Sequence, residues 1–265
     1  MPFKVNTVSR AEFLRDFYAD SAAFMRVINA PEIFVVKGFY PGAEILAMRD
    51  RIFNKGAQTA PAWHPLYDGC PDFHRIHDDY EKAYVKGKIH VFYHHGYYPE
   101  NAELMGYFDE IFRLKNHLAD DGRGFDTRRI PSQGLIARVN FHQYPSGGGY
   151  QAEHIDPHGV HARIQTLVVA SEFGREFHSG GLFAREKIGG EKFYVDSYTE
   201  PGDLIVLSPA IPHGVDPVDS GAGIDWKSPN GRWIVLPLFV WSDYPHPDNI
   251  KPVEVEKTPC APKSR

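Results

Sequence analysis

A histidine and an aspartate two positions apart, with a second histidine far downstream, could together bind a metal ion. The segment EHIDP holds His154 and Asp156, and His213 follows 59 positions after His154 in SPAIPHGVDPV. If EHIDP is a β-strand, His154 and Asp156 project to the same face and can share one ligand. Two imidazoles and one carboxylate on one side of a metal leave coordination positions open, as in non-haem Fe(II) oxygenases.

An arginine in an otherwise apolar segment is the second indicator of chemistry. GRWIVLPLF places Arg232 at the start of a predicted strand, with Ile234 and Leu236 on its own side. Because burying an unpaired charge is costly, we expect Arg232 to have an anionic partner. A planar guanidinium matches a carboxylate with two hydrogen bonds. The dicarboxylate 2-oxoglutarate fits: its 2-oxo acid end can chelate the metal while its far carboxylate pairs with Arg232.

Further polar residues lie close to EHIDP along the chain. His158 and His161 follow Pro157, where the alternation of the strand no longer continues, so we expect them at the pocket edge or in solvent rather than on the metal. Arg163 and Gln165 share one face of ARIQTLVV and are candidates to contact the co-substrate or the substrate. The alternative for this pair is a polar outer face of the strand.

Other histidines and aromatic residues lack a partner set at a defined spacing. The segment FHRIHDD and five single residues are therefore candidates only for loops that contact the substrate. These residues are Trp63, His94, His95, Tyr97 and Tyr98.

The metal-binding residues must be positioned by strands, because the second half of the chain is a series of short apolar segments separated by turn residues. The segments are GLIARVNFHQYP, AEHIDP, ARIQTLVVASE, GGLFARE, EKFYVDSY, GDLIVLSP, HGVDPV and GRWIVLPLFVWSD. Eight strands at this spacing predict an antiparallel sandwich or barrel, of which a jelly roll is the most economical choice. In a rolled sheet the chain returns beside an earlier strand, which would bring His213 to His154.

The first half of the chain predicts a mixed structure. Apolar residues at helical spacing predict helices over RAEFLRDFYADSAAFMRVIN, GAEILAMRDRIFNKG and NAELMGYFDEIFRLKNHLADDG, and EIFVVKGFY predicts a strand. The intervening residues predict loops with one strand at KIHVFYHH. We expect one domain over residues 1–265, in which 1–130 pack on a barrel core at 131–245 and 246–265 form a charged tail.

Composition excludes some functions. A formal charge of −5 without any basic run argues against a nucleic-acid partner. No apolar segment reaches the roughly 18 residues that span a bilayer, so we expect no membrane partner. Cys70 and Cys260 are far apart, which favours a reducing compartment and a cytoplasmic protein. Aromatic residues make up 14% of the chain and suit a pocket lined by rings, while the oligomeric state stays open.

The order of HID, SGGLFARE, EPGDLIVLSPAIPHGVDPV and GRWIVLPLF resembles the Fe(II)/2-oxoglutarate-dependent dioxygenase superfamily, particularly its prolyl-hydroxylase-like branch. The resemblance covers about residues 134 to 243. It implies a mainly β fold with flanking helices (α+β), a double-stranded β-helix of the cupin-like jelly-roll type. It also implies Fe(II), 2-oxoglutarate and O2, with ascorbate as a candidate reductant. Within ARVNFHQYP, Asn140 and Tyr144 match a family strand that faces the co-substrate.

Two departures from the family pattern concern co-substrate binding. The family often has a hydroxyl residue two positions after the arginine, where this chain has Ile234, and DSGAGIDWKSPN lengthens the interval between His213 and Arg232. Because Asp156 is present, the resemblance favours hydroxylation of an unactivated C–H bond, with succinate and CO2 as co-products, over halogenation. Desaturation or ring closure stays open.

The sequence leaves several alternatives open for the substrate. A small molecule such as an amino acid or a secondary metabolite ranks ahead of a peptide or protein, because no added recognition domain is visible. A cupin-type isomerase or binding protein without 2-oxoglutarate chemistry is a further alternative, but it leaves Arg232 unexplained.

Overall fold

The computed structural model describes residues 3–29, 32–63, 73–80, 83, 85–119, 125–130 and 134–241. Its helices are α1 (Arg10–Ala19), α2 (Ser21–Ile28), α3 (Gly42–Gly56), α4 (Ala102–Tyr107) and α5 (Asp109–Ala119). Its first strands are β1 (Lys4–Ser9), β2 (Glu32–Lys37), β3 (Ala62–Trp63), β4 (His74–Asp78) and β5 (Gly87–His95). The later strands are β6 (Leu135–Pro145), β7 (Gly149–His154), β8 (Gln165–Val169), β9 (Gly181–Ala184), β10 (Phe193–Tyr194), β11 (Leu204–Leu207), β12 (His213–Val218) and β13 (Gly231–Trp241).

The strands from β6 onward form a double-stranded β-helix. Strands β6, β13, β8 and β11 are antiparallel neighbours in one sheet region, and β7, β12, β9 and β10 are antiparallel neighbours in a second. The chain crosses between the two regions after β6, β7, β8, β10, β11 and β12. Strand β5 pairs with both β6 and β7 and joins the two regions. The predicted jelly roll and the mainly β class are thus confirmed.

Strand β13 separates two hydrophobic clusters because its side chains alternate between its faces. Trp233 and Val235 belong to a cluster shared with the helices, in which Phe17 and Phe112 are buried. Ile234 and Leu236 belong to a second cluster, inside the roll. The helices therefore cover one side of the sheet, and the residues inside the roll form a separate cluster.

Two predicted helices are each divided. At the first, Asp20 stops α1 and caps α2, because its side chain accepts a hydrogen bond from the backbone N–H of Ala23. Aspartate is favoured at this position for that reason. At the second, α4 ends at Tyr107 and α5 begins at Asp109. Apolar spacing continues across both breaks, and it therefore does not reveal them.

The structure also contains strands that the sequence pattern did not predict. FHRIHDD was predicted as a loop, but it includes β4, which pairs with β5 beside the predicted KIHVFYHH strand. Its buried side chains include His74, Arg75 and His77, so the usual apolar signal is missing. Strand β1 pairs in parallel with β2. The predicted tail at 246–265, Cys70 and Cys260 lie outside the described residues.

In the described part of the chain, no helix is both long enough and apolar enough to cross a membrane.

Candidate metal centre and the roll interior

His154 and His213 are brought together by the pairing of β7 with β12. The two residues are direct partners in the antiparallel register, and their ring centroids are 4.5 Å apart. His154 is the last residue of β7, and His213 is the first residue of β12 after a turn in which Ile211 donates its N–H to the Ser208 carbonyl. The return of the rolled sheet therefore places both imidazoles at one end of the strand pair.

Asp156 lies just beyond β7, so strand alternation is not what aligns it with His154. Instead, its backbone N–H donates to the carbonyl of Pro209, in the turn that precedes β12. Its Oδ1 is 3.5 Å from Nε2 of His154, and its Oδ2 is 3.4 Å from Nε2 of His213. One ligand atom from each of the three residues lies within 4.8 Å of the others. The structure thus assembles the predicted triad, although the strand argument for Asp156 was wrong.

Backbone carbonyls determine which nitrogen of each histidine faces the carboxylate. Nδ1 of His154 donates to the carbonyl of Ala152 at 2.9 Å, and Nδ1 of His213 donates to that of Ile211 at 2.8 Å. Because a carbonyl only accepts, each Nδ1 carries the hydrogen and each Nε2 is directed at Asp156. Such outer hydrogen bonds orient metal-binding histidines and make them better ligands.

The electrostatics of the triad favour a bound cation. Burial disfavours ionisation of Asp156, but His213 and His154 outweigh that effect and lower the pKa of its carboxyl group. Burial likewise disfavours the charged form of His213, yet Asp156 raises the pKa of its imidazole. An ionised carboxylate beside two imidazoles attracts a cation, and a metal ion that bound there would displace any proton held on Nε2 of an imidazole.

Gln165 lies directly against the triad. Its Nε2 donates to Oδ2 of Asp156 at 2.7 Å, so this residue, predicted to contact the co-substrate or the substrate, lies beside a candidate metal ligand. The preceding Ile164 carbonyl accepts a hydrogen bond from the buried Lys115 on α5 at 3.0 Å. Burial lowers the pKa of Lys115 to about 8, against the opposing effect of Asp156. Lys115 is not among the residues predicted from the sequence. Its spacing from Ile111 is the signal that it lies on the buried face of α5.

Asn140 and Tyr144 both face the interior of the roll, on the same side of β6 as His142. Tyr144 is paired with Arg232 across β6 and β13, and its ring centroid is 5.7 Å from the guanidinium carbon. The Tyr144 hydroxyl donates to the side-chain carbonyl of Gln151 at 2.8 Å. Asn140 is buried, with its amide nitrogen 3.4 Å from Nε2 of His142. Both predicted co-substrate residues therefore lie on the face of β6 that is directed into the roll, and Tyr144 lies beside Arg232.

Arg232 has an internal partner that the sequence analysis missed. Asp196, which follows β10, accepts hydrogen bonds from Nε of Arg232 at 2.8 and 3.0 Å and from Nη2 at 2.8 Å. Both side chains are buried. The chain itself therefore supplies the anionic partner that the sequence analysis assigned to 2-oxoglutarate. Among the described residues, Nη1 of Arg232 has no hydrogen-bond partner.

Other residues near EHIDP do not join the triad. Arg163 precedes β8 and is exposed, and His158 is also exposed. His161 packs against the rings of Phe125 and Phe239. Within the part of the chain that the structure describes, a single group of three or more His, Cys, Asp and Glu residues could hold a metal, and it consists of His154, Asp156 and His213.

The remaining histidines predicted as substrate-loop candidates lie in strands. His94 is buried between Phe73 and Phe141, and burial lowers the pKa of its imidazole to about 4. In β4, Nδ1 of His74 is 2.8 Å from Nε2 of His90, while Nε2 of His74 contacts the Thr59 carbonyl. This side of the sheet faces the helices, so these groups are remote from the roll interior.

The aromatic candidates fall in two places. Tyr97 and Tyr98 contact the ring of His95, which is on the same face of β5 as the interior residue Tyr93. Trp63 is exposed and makes an edge contact with Trp226. Of these candidates, only Tyr97 and Tyr98 adjoin the interior of the roll, through His95.

Comparison with known proteins gives structural neighbours only. No family model matches the chain, and no curated relative matches it. Among solved structures, it is similar to a Pseudomonas putida prolyl-4-hydroxylase, with 16% identity, a TM-score of 0.47 and coverage of 79% of this chain and 92% of that chain. It is also similar to a Trichoplax adhaerens prolyl hydroxylase in complex with a hypoxia inducible factor oxygen degradation domain peptide fragment, with 14% identity, a TM-score of 0.49 and coverage of 87% and 93%.

A third neighbour is full-length Neurospora crassa T7H in complex with alpha-KG, with 11% identity, a TM-score of 0.49 and coverage of 90% of this chain and 84% of that chain.

Proposed function

We propose that this chain is an Fe(II)- and 2-oxoglutarate-dependent dioxygenase that hydroxylates an unactivated C–H bond of a small molecule, such as an amino acid or a secondary metabolite. The observation that carries the proposal is the pair of Nε2 atoms, from His154 and His213, directed at the Asp156 carboxylate. Bound there, Fe(II) would couple decarboxylation of 2-oxoglutarate by O2 to substrate oxidation, giving succinate and CO2.

The donor set fits iron better than a structural metal. Two imidazole nitrogens and one carboxylate oxygen leave open positions for a co-substrate, whereas structural zinc sites use four protein ligands. Asp156 accepts a hydrogen bond from Gln165 on Oδ2, which leaves Oδ1 free to bind the metal. His154, Asp156 and His213 would hold the iron, and Gln165 would hold the carboxylate in place.

A dicarboxylate would suit the polar groups of the roll interior near the triad and Arg232. Burial lowers the pKa of His142 to about 3, with Arg138 and Arg232 adding to the shift and Asp156 opposing it. His142 therefore lies within electrostatic range of both the candidate metal ligand and the guanidinium. 2-Oxoglutarate has a chelating 2-oxo acid at one end and a carboxylate at the other. We infer that the far carboxylate binds the unpaired Nη1 of Arg232.

The interior also contains polar groups that could orient a small polar ligand. In the described structure, Oδ1 of Asn140 and Nδ1 of His142 are buried without a hydrogen-bond partner. If the Asn140 amide and Nε2 of His142 form a hydrogen bond, the other atom of the amide and Nδ1 of His142 remain unpaired. One of these two atoms is then a donor and the other an acceptor, whichever way the amide is turned. Buried polar groups left unpaired are costly, so a ligand with both kinds of group would be favoured there.

An anaerobic titration tests this function. We expect Fe(II) and 2-oxoglutarate together to give the weak visible charge-transfer band of a chelated 2-oxo acid. On admission of O2, the protein should form succinate from 2-oxoglutarate. Iron binding without the band and without succinate would instead favour the cupin-type alternative. Comparing small molecules with peptides as stimulators of succinate formation would then determine the substrate class.

A further inference from the structure

We infer that Asp196 is a positioning residue, which turns Arg232 so that its free N–H pair is presented to the far carboxylate of the co-substrate. The inference rests on the proposed function and extends it to a residue outside the metal centre. It would also make Asp196 a determinant of selectivity for dicarboxylate over monocarboxylate 2-oxo acids.

The hydrogen bonds show which edge of the guanidinium Asp196 occupies. Its carboxylate contacts Nε and Nη2, the side edge, at 2.8 to 3.0 Å. A guanidinium has a second edge, formed by Nη1 and the remaining N–H of Nη2, that can also bind a carboxylate with two hydrogen bonds. Asp196 therefore orients Arg232 without using the edge that includes Nη1.

Asp196 is itself held in place by a close backbone contact. The N–H of Leu182 donates to its Oδ2 at 2.6 Å. The neighbouring Gly181 has φ of +100°, and a Cβ at that position would lie 2.3 Å from the same oxygen. Glycine is thus required at this strand start both for the backbone conformation and for the approach of the carboxylate. The arrangement fixes Asp196 before any ligand binds.

The surroundings of Arg232 leave few directions for its free edge. The Tyr144 ring lies 5.7 Å from the guanidinium carbon, and Asp196 takes the side edge. Arg232 is 1% exposed, so Nη1 has neither water access nor, among the described residues, a protein acceptor. A buried charged donor in that state is costly unless a ligand oxygen satisfies it. The free edge is therefore prepared for a carboxylate.

The test compares two 2-oxo acids of similar length on the full chain loaded with Mn(II), by calorimetric binding. 2-Oxoglutarate has the far carboxylate, and 2-oxopentanoate lacks it. We expect wild type to prefer 2-oxoglutarate. In Asp196→Asn, the dissociation constant for 2-oxoglutarate should rise about tenfold or more, while that for 2-oxopentanoate should stay within about twofold. Asp216→Asn, which removes a carboxylate paired with Lys192 instead, is the matched control.

A second variant displaces Asp196 without changing its charge. Gly181→Ala places a methyl group against Oδ2, so it should give the same selective loss of 2-oxoglutarate binding. Circular dichroism and the melting temperature report whether each variant is folded. Selective loss in either folded variant supports the inference.

Three kinds of result would overturn the inference. An unchanged ratio of the two dissociation constants in the folded variants would reduce Asp196 to a structural partner and overturn the inference. Tighter binding of 2-oxoglutarate by Asp196→Asn would show that Asp196 competes for Arg232, and would also overturn it. A wild-type protein that binds neither acid, or binds both equally, would remove the proposed use of Arg232 and the inference with it.

Discussion

His213 and His154 face each other across the β7–β12 pair, with ring centroids 4.5 Å apart. Both rings donate from Nδ1 to a backbone carbonyl two residues earlier in the chain, at Ile211 and Ala152. The same local geometry thus occurs on both strands and directs both Nε2 atoms at one carboxylate. A neighbouring histidine without this arrangement should not contribute to metal binding.

The first prediction concerns metal binding. His213→Ala should abolish Fe(II) binding, because it removes one of three ligands from a site with no replacement donor among the described residues. His158→Ala should bind iron like wild type, because His158 is exposed outside the triad. Anaerobic calorimetry with Fe(II) measures both. Equal loss in the two variants would show that the assignment of ligands is wrong.

The second prediction concerns the hydrogen bond from Gln165 to Asp156. Gln165→Leu should weaken Fe(II) or Mn(II) binding by about tenfold to a hundredfold, the usual effect of losing an outer partner of a metal ligand. Arg163→Leu, two positions earlier and exposed, is the control and should leave the affinity unchanged. If both variants bind metal like wild type, Gln165 does not hold the carboxylate.

The third prediction concerns the stability of the Arg232–Asp196 pair. Arg232→Met should lower the free energy of unfolding by about 3 to 5 kcal/mol, because it leaves a buried carboxylate without its cation. Adding Asp196→Asn should restore part of that loss, since the uncompensated charge is then gone. Urea unfolding measures the three proteins. A double variant less stable than Arg232→Met would contradict this account.

The fourth prediction concerns pH. Burial lowers the pKa of His90 and His142 to about 3 and that of His94 to about 4, so all three are neutral in the folded protein above those values. An unfolded histidine takes up its proton near pH 6.5. Below that pH the unfolded state binds more protons at these three positions, so the stability that the neutral rings contribute is fully present above about pH 6.5 and falls as the pH drops toward 4.

Replacing His94 measures its own contribution to the change of unfolding free energy with pH. His94→Leu should make the dependence shallower by up to about 1.4 kcal/mol per pH unit. His158→Gln, at an exposed position, should leave the slope unchanged. Urea unfolding between about pH 7 and pH 5 gives the comparison. Identical slopes in wild type and His94→Leu would show that folding does not lower the pKa of His94.

The sequence predicted the roll well because local patterns specify its strands. Apolar segments bounded by Gly, Pro and Asp turns marked all eight of its strands, and HGVDPV matches β12 residue for residue. It also identified the three candidate ligands, since HxD followed by a later histidine is a pattern of residue types. It was less successful at Asp20 and β4, where a cap and buried polar side chains replace apolar periodicity.

Other features depended on contacts between distant segments. Alternation along a strand suggested that Asp156 faces His154, but a hydrogen bond to Pro209, more than fifty residues away, aligns it. The sequence required an anion for Arg232, and only the tertiary structure showed that Asp196 supplies one. Burial of Arg232 makes an anionic partner necessary, and the apolar residues beside it in the sequence predict that burial. Which carboxylate meets that need depends on the return path of the chain, which no local pattern records.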